Sequence, residues 1–287
     1  ASLLVRFLGF IYRLPLTNMI GDEGNAIYSG GYYIYTFLLI LSSAGLPAAI
    51  SKLVSERIAL KQYRNAHRVF QAALVISTCF GTFFAVVMGL GAHRLADMID
   101  IADSYYSLLT LCPTLVIVAI MSVFRGYFQA HKSMVQTSVS QILEQIVNAG
   151  VSVLMAYLLV RMVKGESETT QASFGAAGGT IGTGAGVVFA LLFMMGVYAL
   201  NKGMIHRQID RDKTIHEDSR KEIFKMIIMV VTPFILSTAI YNINTFLDQK
   251  IYQMISLTIQ QKTEAAVSFD LSAMAKATKL ANIPIAL

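Results

Sequence analysis

The sequence predicts an all-α protein, a polytopic bundle of helices that crosses a membrane many times. Three observations carry that prediction. Of the 287 residues, 55% are hydrophobic and only 14% are charged, where soluble domains carry about a quarter charged residues. Apolar windows long enough to cross a hydrocarbon core of about 30 Å recur along the whole chain. The connections between them are short and polar, so no sizeable soluble domain is inserted.

The windows fall at residues 1–20, 26–51, 69–92, 104–130, 134–160, 172–200, 223–247 and 266–287, which makes eight spans. The first carries Arg6 and Arg13 and ends at the polar stretch 21–25. It has no small-residue cleavage site ahead of a soluble domain, so it does not read as a signal peptide. The second leads into the basic stretch 52–68, and the third holds Cys79 and ends at the acidic stretch 97–103. Span four holds Cys112. Thiols inside apolar helices behave as small hydrophobes, so no disulfide is expected.

Span five carries Thr137, Gln141, Glu144, Gln145 and Asn148 at helical spacing. Such a stripe either lines a hydrated path or bonds one helix to the next. Span six holds Gly175, Gly178, Gly179, Gly182 and Gly186, a small-residue pattern that lets helices approach closely. No strand precedes these glycines and no Gly-Lys-Ser/Thr follows, so they do not form a phosphate loop. The charged segment 202–225 separates span six from span seven, where Tyr241, Asn244 and Asp248 share a face. Span eight opens with Lys276 and Lys279, ahead of Asn282 and Pro284. Pro47, Pro113, Pro233 and Pro284 lie in or beside spans, where they bend helices and free carbonyls. The chain starts without Met and stops at Leu287 within an apolar stretch, as a piece of a longer protein would.

The net charge of +6 does not indicate a nucleic-acid partner, because the basic residues sit between apolar runs. Fourteen Lys and Arg fall in one set of alternating connections and five in the other. Basic residues near span ends resist translocation, which predicts a cytoplasmic N-terminus. His67, His93, His131, His206 and His216 are scattered, without metal-ligand spacing, and no nucleophile elbow, kinase or NTPase signature is present. No enzyme activity and no metal centre are expected.

Charges within spans are costly and mark functional positions. Arg6 and Arg13 are two helical turns apart, on nearly one face. A guanidinium fork suits phosphate or pyrophosphate oxygens, so the pair favours an anionic cargo; the alternatives are snorkelling for Arg6 and a carboxylate partner for Arg13. Lys279 is a further cavity candidate, with interfacial snorkelling as its alternative. Gln141, Glu144 and Asn148 are candidate cavity-lining residues. Asp248 and Asn244 offer oxygen ligands suited to a small cation, against a helix-end Asp paired with Lys250.

Three segments together resemble the polysaccharide-transporter branch of the multidrug/oligosaccharidyl-lipid/polysaccharide (MOP) exporter superfamily: residues 6–28 (RFLGFIYRLPLTNMIGDEGNAIY), 41–56 (LSSAGLPAAISKLVSE) and 279–284 (KLANIP). Within that branch the chain is similar to the stage V sporulation protein B and lipid II flippase families of Gram-positive bacteria. The resemblance implies two six-helix lobes around a central cavity. Residues 1–201 would be the first lobe, 202–222 a cytoplasmic linker, and 223–287 the start of the second. It also implies alternating access, in which a lipid-linked sugar headgroup crosses while its tail stays in lipid.

By motif position, Arg6 and Lys279 match the basic residues that contact the pyrophosphate, and Arg13, Lys52 and Arg125 rank behind them as substrate contacts. Asp248 matches an acidic residue of helix seven through which certain members bind sodium; no other cofactor is implied. The flippase pattern has an acid near the start of helix two and a base before Gly45, where this chain has apolar residues around Ile27 and Leu39. The implied protein is a monomer of the bacterial cell membrane. Its partners are membrane lipids, an undecaprenyl-linked glycan and the proteins of cell-wall synthesis. Two other readings remain: a cation-coupled multidrug exporter of the same superfamily, and a non-transporting scaffold for sporulation or wall assembly.

Overall fold

The computed structural model describes residues 2–258 and 260, apart from 44, 100, 213, 215 and 216; within 241–250, and at 2, 253 and 257, it describes the backbone alone. The described chain is built from seven α-helices: α1 (Ser2–Ser43), α2 (Leu46–Ala59), α3 (Tyr63–Met98), α4 (Tyr105–Ala130), α5 (Val135–Met162), α6 (Glu168–Asp210) and α7 (Arg220–Thr258), with a single 3-10 turn at Ala102–Ser104. Among the described residues, six stretches are long and apolar enough to cross a membrane, the first being Leu3–Ala59.

That first stretch folds back on itself. Gly21 has φ 71° and ψ −178°, a backbone region open essentially to glycine alone. A β-carbon at Gly175 would meet Ile20, and one at Gly24 would meet the Ala172 carbonyl, so both sides of the break rest on the start of α6; Leu16 and Tyr28 likewise both flank Gly179. The outgoing arm, residues 2–20, spans about 28 Å at 1.5 Å per residue, one hydrocarbon thickness. The return arm starts at residue 22, and the chain passes through Gly45 into α2, where Pro47 occupies the first helical turn and loses no hydrogen bond there.

The basic stretch 52–68 is almost entirely helical, because α2 runs to Ala59 and α3 begins at Tyr63. Only residues 60–62 connect them, with Lys61 at φ 60° and the Gln62 amide donating to the Arg57 carbonyl at 2.8 Å. Helix α6 extends to Asp210, and α7 opens with a reciprocal cap: the Glu222 amide donates to Ser219 Oγ and the Ser219 amide to Glu222 Oε2, which satisfies two otherwise orphaned donors.

In lipid, helices are held by close packing rather than by an apolar driving force. Helices α5 and α6 meet backbone to backbone: a β-carbon at Gly178 would lie 2.6 Å from the Ala156 Cα, and one at Gly186 2.5 Å from the Glu144 carbonyl oxygen. Gly126 of α4 lies equally close to the Pro47 backbone. The core has three main parts. Phe70, Phe124, Tyr127 and Tyr198 cluster at the basic end of the bundle, with Phe70 and Tyr127 ring centroids 4.4 Å apart. Tyr35, Met88, Leu108 and Leu111 fill a second cluster. Tyr12, Leu16, Tyr28 and Ala156 bind the two arms of α1 to α5 and α6. Cys79 and Cys112 are free thiols.

Candidate functional site

The outgoing arm of α1 has two unlike sides. Tyr12, Leu16 and Ile20 are buried against the lobe. Arg6, Phe7, Phe10, Arg13 and Leu14 are exposed, so both arginines lie on the side that α4–α6 leave uncovered. Arg13 stands beside the phenols of Tyr12, Tyr28 and Tyr32. The rings of Tyr28 and Tyr32 stack with centroids 5.3 Å apart, and the Tyr28 hydroxyl is buried. This combination offers an anion two guanidinium forks at the border of an apolar surface.

Behind the tyrosines lies a closed polar network. Asn148 Nδ2 donates to the Tyr12 hydroxyl at 3.4 Å, while its Oδ1 accepts from Ser152 Oγ at 2.8 Å and Thr183 Oγ1 at 3.5 Å. Ser152 Oγ also reaches the Gly179 carbonyl at 2.7 Å, and the Tyr32 and Thr183 hydroxyls lie 3.4 Å apart. The network ties α1, α5 and α6 together, and Asn148 is 4% exposed.

Toward the basic end, Arg125 Nη2 meets Glu144 Oε2 at 2.8 Å and Arg125 Nε donates to Ser140 Oγ at 3.1 Å. The two charges neutralise each other across α4 and α5, with side chains 14% and 22% exposed. Gln141 and Gln145 are half-buried on the same helix, and the Gln145 Oε1 faces Gly9 of α1. Lys52 is exposed on α2.

The structure therefore brings Arg6 and Arg13 to one open side, joins Arg125 to Glu144, and sets Asn148 in the interior. Asn244 and Asp248 fall on the α7 backbone, with side chains outside the described set, and Lys279 lies outside the described residues. The sequence reading did not pick out Tyr12, Tyr32, Ser152 or Thr183. The spacing of Tyr28, Tyr32 and Tyr35 at one helical turn was the available signal.

A second polar cluster escaped it as well. At the basic end the connection between α6 and α7 is fastened onto the α2–α3 corner. Arg57 Nε bonds Asp218 Oδ2 at 2.8 Å, Arg64 Nη1 bonds Glu217 Oε1 at 2.8 Å, and Arg68 also pairs with Glu217. The Arg64 amide donates to Asp212 Oδ2 at 2.7 Å, and the Asp218 amide to Asn65 Oδ1 at 3.1 Å. Hydrogen bonding from Arg64, with the charge of Arg68, holds the Glu217 carboxyl below the ordinary carboxylate range. For Asp212 partial burial pushes upward, but bonds from the Arg64 and Thr214 amides and the Thr214 hydroxyl outweigh it and lower the pKa.

This arrangement of helices is that of MOP-superfamily transporters. A crystal structure of a MATE P26A mutant matches with TM-score 0.71 and 19% identity, covering 99% of this chain and 60% of that one. A MOP superfamily transporter from Pyrococcus furiosus Vc1 matches with TM-score 0.68 and 19% identity, covering 99% and 59%. Residues 1–258 match the family model described as polysaccharide biosynthesis protein, and the chain belongs to that family. Its relatives include the Lipid II flippase MurJ of Bacillus subtilis (strain 168), 30% identical over 169 residues, which are 56% of this chain and 31% of that protein. Stage V sporulation protein B of the same organism is 30% identical over 203 residues, 70% of this chain and 38% of that protein. The chain thus spans about a third of the length of these curated relatives.

Proposed function

We propose that the chain forms the first lobe, and the opening of the second, of a flippase that moves an undecaprenyl-linked glycan precursor across the bacterial cell membrane by alternating access. The observation that carries this reading is the pair Arg6 and Arg13 on the uncovered side of α1, within an otherwise apolar surface. A charge there is costly in lipid, and a pyrophosphate offers it a bidentate partner. The relatives named for lipid II flipping and sporulation support the same substrate class.

In this reading Arg6, Arg13 and Lys279 hold the headgroup, with Lys52 and Arg125 nearer the basic end as secondary contacts. Gln141 and Glu144 shape the cavity wall behind them, and Asn148 braces that wall from the interior. Asn244 and Asp248 are the candidate ligands of a coupling sodium ion. The basic end faces the cytoplasm, which puts the N-terminus there, as the excess of Lys and Arg in its connections supports. The protein works as a monomer, alongside cell-wall synthesis proteins, and carries its cargo without catalysing a reaction.

A cation-coupled drug exporter is the second reading, because the solved neighbours include MATE proteins. Against it, the uncovered side of the outgoing arm is basic and the Glu144 carboxylate is bound by Arg125. Complementation of a flippase-deficient strain separates the two. We expect Arg6→Ala in the full chain to abolish growth at unchanged protein level. Normal growth with that variant would remove the pyrophosphate role.

A further inference from the structure

Helices α3 and α7 leave a continuous seam between them that starts at the basic end of the bundle. At its mouth is an open groove of about 680 Å³, walled by Arg68, Gln71 and Val75 of α3 and by Arg220, Ile223 and Phe224 of α7. Deeper in, an apolar crevice of about 200 Å³ continues between α3 and α7, past Ile76 and Phe80 on one side and Ile228 and Ile235 on the other, with Ser42 of α1 and Leu46 of α2 at its floor. Ile76 lines both, so the two spaces are successive parts of one slot. From Arg68 to Phe80 the slot runs about 18 Å along the helix axis, slightly more than one leaflet of a hydrocarbon core about 30 Å thick.

The chemistry changes along its length as a lipid's does. The charged residues that line the mouth are both basic, Arg68 and Arg220: Arg68 shares the carboxylate of Glu217 with Arg64, Asp218 is taken by Arg57, and Arg220 forms no ion pair among the described residues. The clasp holds Arg68 in place through Glu217 and the Asp218 carbonyl. Arg220 is the first residue of α7, where a cation opposes the helix dipole, so its position does not serve the helix. Below the arginines the walls turn apolar, and Val75 and Phe224 are 66% and 51% exposed.

We propose that this seam binds one anionic phospholipid, with its phosphate between Arg68 and Arg220 and one acyl chain lying in the crevice as far as Phe80. Arginine forks match phosphate oxygens, and the crevice gives the chain an apolar bed beside the bilayer. The site lies between α3 and the first helix after the linker, so an occupant would brace that joint. The inference rests on the membrane-spanning fold and not on the identity of the cargo.

The test is native mass spectrometry of the full chain released from nanodiscs containing equal phosphatidylglycerol and phosphatidylcholine. Wild type is expected to retain phosphatidylglycerol roughly tenfold over phosphatidylcholine, the scale of one charge-assisted contact. Arg220→Gln, which leaves the Glu217 clasp intact, should bring that ratio close to parity. Ile228→Trp, which fills the crevice and keeps both arginines, should lower phosphatidylglycerol retention while thermal unfolding of the protein stays cooperative. Equal ratios in wild type and Arg220→Gln would overturn the site, and so would glycerol phosphate competing as well as the intact lipid, since the crevice would then contribute nothing.

Discussion

On α5 the side chains of Ser140, Glu144, Asn148 and Ser152 all end on neighbouring helices, whereas on the outgoing arm of α1 Arg6 and Arg13 stand on the side those helices leave uncovered. Both sets recur at helical spacing in apolar surroundings. The difference lies in exposure: the α5 side chains are buried or half-buried against the lobe, and the α1 arginines are exposed. A polar stripe on a membrane helix is therefore ambiguous until its partners are known. The α5 stripe bonds one helix to the next, and the α1 arginines stand on the uncovered side of the lobe.

If that contrast is right, substitutions on α5 should cost stability and those on α1 should not. The largest effect is expected for Glu144→Leu, which strips Arg125 of its carboxylate and leaves it only the Ser140 hydroxyl. The loss should be about 2 kcal/mol in reversible unfolding, and the double variant Arg125→Leu/Glu144→Leu should recover most of it. A double variant no better than the single one would mean that the pair does not act as a unit.

Asn148→Ala should cost less, about 1 kcal/mol, because hydrogen bonds between membrane helices are modest. Hydrogen exchange would sharpen the result, with protection lost near Tyr12 and Thr183 together if the network is one unit. Arg13→Ala should change stability by no more than about 0.5 kcal/mol. A loss as large as that of Asn148→Ala would place Arg13 among the structural residues and erase the contrast.

The linker clasp gives a pH-dependent comparison with the same lobe. Glu217 has a lowered pKa in the folded protein, so its contribution is complete above the ordinary carboxylate value of about 4.3 and is lost as pH falls through the lowered one. Protease protection at Glu217 and Asp218 should therefore hold at neutral pH and fail in acid before the bundle unfolds. In Glu217→Gln the protection should be weak at every pH. An unchanged profile in that variant would leave Glu217 out of the clasp.

The spans within the described residues were legible in the sequence, because hydropathy and the glycine pattern of α6 report directly on lipid exposure and helix approach; span eight, at 266–287, lies outside those residues. The reversal at Gly21 was legible too, since residues 21–25 interrupt the apolar run with two glycines and two acids. The helical course of residues 52–68 was not: its lysines and arginines read as a loop, yet all of them but Lys61 lie on α2 and α3. Of the candidate site, the arginines of α1 stood out as charges in an apolar run. The pairing of Arg125 with Glu144, and of Arg57, Arg64 and Arg68 with the linker acids, depends on which helices become neighbours, and spacing within one helix does not carry that. Tyr12, Tyr28 and Tyr32 were hidden for a related reason, because phenols are common in such helices and only the fold of α1 gathers them beside Arg13.

The most direct test of the account is the rate of headgroup flipping in liposomes, using labelled lipid II and comparing the wild-type full chain with Arg6→Ala, Arg13→Ala and Asn148→Ala. The account predicts that the arginine variants lose roughly tenfold or more, the scale of a charge-assisted hydrogen bond to phosphate, while Asn148→Ala flips at a near-normal rate once folded. Arginine variants that flip as fast as wild type would contradict it.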